Sequence, residues 1–285
     1  MNRKVSLRQI LHVFRREYVE WITNPRMIVC LVLLVMIREV VILPMKELAA
    51  DMGQPINAVE PVVAVANSGI LLLLMPLVYL VIMADFPRVS GNTYFYLTRI
   101  GRLNWIFGQM FFQLISLLTY LVFVVVSTMI QTISFSYMIN GWSLVVTTND
   151  GLNAVNDLLP INIYNQITPY RAFAESYLLL FLFLILCSSV MLLAALYGRK
   201  TLAFWTVMLT VAAGIVFCAL KSKWMWLFPV SHSILWIHFQ TYYRKYVLSP
   251  TVSILGLLLL IVVVYVVIMV SSSRMDVDRL RSEQE

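Results

Sequence analysis

The sequence predicts an all-α polytopic membrane protein: six transmembrane helices, an amino-terminal amphipathic helix at the membrane surface, and a short outer-leaflet helical segment before the last span. Three observations predict it. Hydrophobic residues make up 61% of the 285 and charged residues only 12%, well below the quarter or so expected of a soluble domain. Apolar runs of about 20 residues recur, the length a helix rising 1.5 Å per residue needs to cross a hydrocarbon core of ~30 Å. No run shows the alternation of a membrane barrel strand. The net charge of +7 does not describe a nucleic-acid surface, because the arginines mark the ends of apolar runs and do not gather on one soluble face. Cys30, Cys187 and Cys218 fall inside apolar runs, which suits packing and not a disulfide framework.

Residues 1–25 do not read as a cleavable signal, because charges run on to Arg16 and Glu20. Leu7, Ile10, Leu11, Phe14, Tyr18, Trp21 and Ile22 share one helical face, with Arg8, Gln9, His12, Arg15, Arg16 and Glu20 off it. Such a helix lies in the membrane surface with its aromatics at the acyl boundary; packing of that face on protein is the alternative. Asn24-Pro25 then breaks it. The first span, 27–48, carries Arg38 and Glu39 near mid-bilayer, where an ionisable residue costs roughly 2.5–3.5 kcal/mol on insertion scales. Both are therefore expected to face the bundle interior, in a structural ion pair or beside a substrate path. Helix neighbours point ~100° apart, so each needs its own partner.

Gly53, Pro55 and Pro61 mark an external turn. The second span, 62–84, contains Asn67-Ser68-Gly69, which suits close helix packing, and Pro76, where a kink is expected. The third span is 105–130. A polar insertion over 131–176 follows, rich in turn signals, either a small folded cap or a partly ordered loop. Spans four and five, 177–197 and 201–220, are joined by Gly198-Arg199-Lys200 as an antiparallel hairpin. Residues 221–250 are crowded with tryptophan and tyrosine, an interfacial composition, and read as a short helix, or a pair broken at Pro229, with Leu235, Phe239, Tyr242 and Tyr246 on one face. The sixth span is 251–270, and 271–285 form a charged tail. This arrangement puts fourteen basic residues on one side, six on the other and Arg38 in the membrane, out of 21. The bias predicts both termini in the cytoplasm.

Familiar chemistry is missing from the sequence. There is no phosphate-cradling G-x-x-x-x-G-K-[ST] loop, so any ATP belongs to another subunit. His232 and His238 are six residues apart, a spacing that does not stack them on a helix for a metal; an interfacial or capping role suits them better. No nucleophile elbow or zinc-protease motif occurs. Ser188-Ser189 and Thr206 with Thr210 are expected to bond between helices.

The stretch from Asp85 to Gln109 is the defined polar segment between spans on the basic side. Arg88, Arg99 and Arg102 stand against Asp85 alone, Gly91 turns the chain, and 94–100 form an aromatic-rich helical patch. It is a docking surface for a soluble partner, with Tyr94, Phe95 and Leu97 as anchors, or an ordinary loop held at the headgroups by its arginines.

In order of parts the chain resembles the permease subunit of type-2 ATP-binding-cassette exporters. Asp85, Arg88, Gly91, Arg99, Arg102, Trp105 and Gly108-Gln109 look like that family's coupling-helix stretch. The resemblance implies a multi-pass protein of a bacterial cell membrane, paired with a second copy or a related permease. Cytoplasmic ATPase subunits would dock on 85–104 and carry the ATP and magnesium, so this chain itself would hold no cofactor and catalyse no hydrolysis. It also implies a translocation path between permeases, with Trp236, His238, Phe239 and Tyr242 near an outer gate. A secondary transporter, which should show internal repeats, and a non-transporting assembly or sensor protein are the rivals.

Overall fold

The computed structural model describes residues 5–88, 97, 99–148, 158–241 and 245–271. Helices dominate them, consistent with a membrane-embedded protein. The amino-terminal helix α1 covers Leu7–Ile22. A composite helix over Pro25–Asp51 follows, made of α2 (Ile28–Ile37), a π-helical turn (Arg38–Ile42) and α3 (Leu43–Asp51). Next come α4 (Val59–Asn67), α5 (Gly69–Ile82) and the long α6 (Arg102–Thr132). Two single-turn helices, α7 (Leu144–Thr147) and α8 (Ile161–Tyr164), precede α9 (Pro169–Leu196) and α10 (Lys200–Ala219). A short α11 (Pro229–Ser233) lies before α12 (Pro250–Ser271). Five of these are long and apolar enough to cross a membrane, and the bent pair α4–α5 makes a sixth if it counts as one span.

The helix ends gather in two places. At one, Asp85 pairs with Arg26 and Arg88 with Glu20, just after α5 and around the end of α1. At the other, β1 (Ile56–Asn57) pairs in parallel with β2 (Ser136–Tyr137), tying the chain after α3 to the chain after α6. The 31 residues of α6 run between the two, ~46 Å at helical rise. The pair α4–α5 also runs from one to the other, because α4 begins beside β1 and α5 ends beside Asp85.

Several elements differ from the sequence reading. The third and fourth spans extend to Thr132 and back to Pro169, leaving a connection of 133–168. Pro169 and Pro229, read as a turn signal and a breaker, each stand in the first turn of a helix, where the missing N–H is an orphan anyway. The bend in the second span falls at Ser68, whose extended backbone separates α4 and α5 at 79°; Pro76 stays inside α5. Ser188 and Ser189 donate to Ile185 within their own helix while also meeting the Tyr79 and Tyr265 hydroxyls of neighbouring helices, but Thr206 donates to Ala203 and Thr210 to Val207, each within its own helix. Such back-bonding satisfies a hydroxyl without any neighbour. Cys30, Cys187 and Cys218 are buried and unpaired.

Candidate functional site

The candidate junction is built where α1, the start of the composite helix, the end of α5 and the start of α6 meet. α1 lies along the first half of α6 through Val13, Glu17 and Trp21, its buried residues. Gln9 belongs to the same strip, bonded by Asn104 Nδ2 at 2.7 Å. These four recur at every fourth position, a second helical face that could have been read from the sequence. The apolar stripe keeps Leu7, Leu11 and Ile22 exposed, while Phe14 packs edge-on against Phe111 and Trp21 against Phe112. The helix therefore presents apolar side chains outward and also docks on protein, by a face that includes polar residues.

Gly101 starts α6 with a φ of 88°, left-handed backbone in which other residues are strained. Gly108 lets α1 approach: a Cβ there would lie 2.7 Å from Val13 Cβ and Cγ1. Next to it, Gln109 Nε2 donates to Glu17 Oε1 at 3.0 Å, both residues being buried. Gln109 Oε1 has no partner among the described residues.

Burial, the largest cause, pushes the Glu17 carboxyl up from 4.5 to about 7, and Glu20 adds to the rise; Gln109, Arg88 and Arg16 pull the other way. An acid raised in the folded state ionises first in the unfolded state. The contribution of this one group to stability is thus greatest below about 4.5, falls as pH rises to about 7, and is level above that. The loss is on the order of 3 kcal/mol by pH 8. Thermal unfolding in detergent should show a higher midpoint at pH 5.5 than at pH 8. Glu17→Gln, whose amide can donate to Gln109 Oε1, should remove most of that difference; an undiminished slope would rule out Glu17 as its source.

The predicted docking residues are divided. Asp85 Oδ1 meets Arg26 Nη1 at 2.7 Å. Arg88 donates to the Glu20 carbonyl and stands 3.9 Å from its carboxylate. Leu97, expected as an anchor for a partner, is only 6% exposed and packs in the chain's own core. Arg99 and Arg102 are exposed. Gly91, Tyr94 and Phe95 lie outside the described residues.

Arg38 and Glu39 are exposed, against the expectation that they face the bundle. The interior stripe of the composite helix is Leu33, Ile37, Val41, Met45 and Ala49. Steps of four drift ~40° per turn on an α-helix. The wider π-helical turn at Arg38–Ile42 takes up part of that drift, so apolar residues hold the inner face and the two charges stay outside it.

At the other end, the described residues of 221–249 form a chain of short turns and not one helix. Phe239 and Tyr246 face each other across an antiparallel bridge, rings 5.3 Å apart, so the expected helical face does not exist. Trp236 is half-buried, Phe239 buried, and Tyr242 lies outside the described residues. Asn162 donates to the Trp236 and Phe239 carbonyls, joining this segment to α8. His238 Nδ1 donates to the Ile234 carbonyl and His232 Nε2 to that of Trp226. Their other nitrogens face Ser253 Oγ at 2.8 and 2.9 Å. One hydroxyl hydrogen serves one neutral ring; a proton on the other would complete the set. Burial opposes it, pushing His238 down to about 4 and His232 down as well. A hydroxyl beside a braced imidazole has the layout of a nucleophile and base, which sequence spacing hid. With Ser253 at 1% and His238 at 0% exposure, it serves here to tie the segment to α12.

Sequence reasoning also missed Glu60. Its carboxylate accepts from Asn57 N–H, Ser143 N–H and Ser143 Oγ, holding the 133–168 connection against α4. Asn57-x-x-Glu60 is a helix-start pattern, and that was the available signal.

No protein-family profile matches the chain, and neither does any curated protein or solved structure.

Proposed function

We propose that the chain is the transmembrane subunit of a type-2 ATP-binding-cassette exporter. It crosses the cell membrane six times with both termini in the cytoplasm, and α4–α5 act together as the second span. Two such permeases, identical or related, form the path for a drug, peptide, lipid or similar amphipathic substrate. Separate ATPase subunits supply the energy. One observation carries the reading: the stretch that resembles the coupling helix emerges where α1, the composite helix, α5 and α6 are fastened together by Arg26–Asp85, Glu20–Arg88 and Glu17–Gln109. A push delivered there reaches several membrane helices at once, as a two-state rocking of packed elements requires.

Charge reversal at Arg99 and Arg102 tests it. Both are exposed at this junction, and an acidic pair should cut recovery of a co-purifying ATPase at least tenfold while leaving membrane insertion intact. Full ATPase recovery and normal transport by the doubly reversed protein would remove this loop from the coupling role.

A further inference from the structure

Arg38 is the central residue of the 27 in Pro25–Asp51, and it and Glu39 are both exposed. On the same side of the helix Leu31, Val32 and Val35 are 57–58% exposed, so the two charges interrupt a face otherwise suited to lipid. Neither forms an ion pair among the described residues. Left in hydrocarbon at this depth, each would cost roughly 2.5–3.5 kcal/mol. Headgroups are ~15 Å away on either side, too far to neutralise both.

What covers this face must bring one acid and one base at the same height. A second copy of the chain has both. In a two-fold contact residue i meets j while j meets i, and an axis along the membrane normal sets residue 38 of one copy a single 1.5 Å step from residue 39 of the other. We propose that this face is the seam between two copies, with Arg38 of each paired to the other's Glu39. The inference deepens the proposed function and rests on it only for the pairing of two transmembrane subunits. Buried inside such a seam, each pair replaces two uncompensated charges, and removing one member leaves the other stranded.

The test uses full-length chains carrying two different tags, co-expressed, solubilised together and captured by one tag. Native chains should capture each other. Arg38→Glu alone sets only acids across the seam and Glu39→Arg alone only bases, so self-capture of each should fall at least tenfold. Co-expressing the two singly reversed chains restores opposite charges at both contacts and should restore capture, as should the swap Arg38→Glu with Glu39→Arg in one chain. Native-level self-capture of either single variant overturns the proposal, as does failure of both restoring combinations or lack of native self-capture. ATPase recovery measured on the same samples separates the two readings. Self-capture without ATPase keeps the seam and removes the transport reading, and ATPase without self-capture does the reverse.

Discussion

Replacing Glu60 by leucine is expected to release the 133–168 connection and lower stability by roughly 3 kcal/mol or more, because it strands several buried donors at once. Asn57 N–H, Ser143 N–H and the Ser143 hydroxyl all donate to this one carboxylate, which is shut off from solvent. Leucine fills the space and strands three donors, each costing ~1–3 kcal/mol when left buried and unpaired. Glutamine keeps one accepting oxygen but points an amide N–H at a donor, so its effect should be smaller but not zero. Two measurements check this: the thermal midpoint in detergent, and the rate at which protease cuts between 133 and 168. Leucine leaving both unchanged would show that other contacts hold the connection, for instance the bond from Trp142 Nε1 to the Ile167 carbonyl.

At the opposite end the largest effect is expected at Gly108. Alanine there would set its Cβ 2.7 Å from two atoms of Val13 and 3.2 Å from the Ile10 carbonyl oxygen, so α1 must shift off α6. Overpacking of this kind costs ~1–3 kcal/mol, and valine should exceed alanine. Displacement also parts Glu17 from Gln109 and Tyr18 from Thr119, which are bonded at 3.0 and 3.1 Å. Protease cleavage within α1 should accelerate in Gly108→Val. Adding Val13→Gly to Gly108→Ala removes both crowded Val13 atoms and leaves only the 3.2 Å contact with the Ile10 carbonyl, so it should recover part of the native protection. Equal cleavage of native and Gly108→Val proteins would mean that α1 does not dock as described.

The long helices were legible because an apolar run of fixed length has few other uses. Boundaries for 201–220 and 251–270 lie within a residue of α10 and α12. What escaped depended on partners far along the chain. Glu17 finds Gln109 and Glu60 finds Ser143, separations at which sequence spacing says nothing. Prolines were ambiguous in a physical sense, since the missing N–H that ends one helix is harmless at the start of another. Residues 221–249 misled because aromatic spacing was read as helical, while the backbone of those described turns too often to hold a period. Arg38 and Glu39 were placed by depth alone; which way they point was decided by the apolar stripe beside them.

The bend at Ser68 bears on the bilayer itself. Nine residues of α4 and 14 of α5, set at 79°, are two rods of ~13 and ~21 Å at helical rise, whose far ends lie ~27 Å apart before Ser68 itself is counted. A typical hydrocarbon core is ~30 Å thick, so the pair, if it crosses as the single span proposed, has no length to spare and is short once tilted. Hydrophobic mismatch of that sign is met by local thinning or by shielding from lipid. α4, buried along all nine residues, is shielded by its neighbours. α5 exposes Ile70 just after the bend, so any thinning should centre there, and lipids of different chain length should act on this protein first at that place.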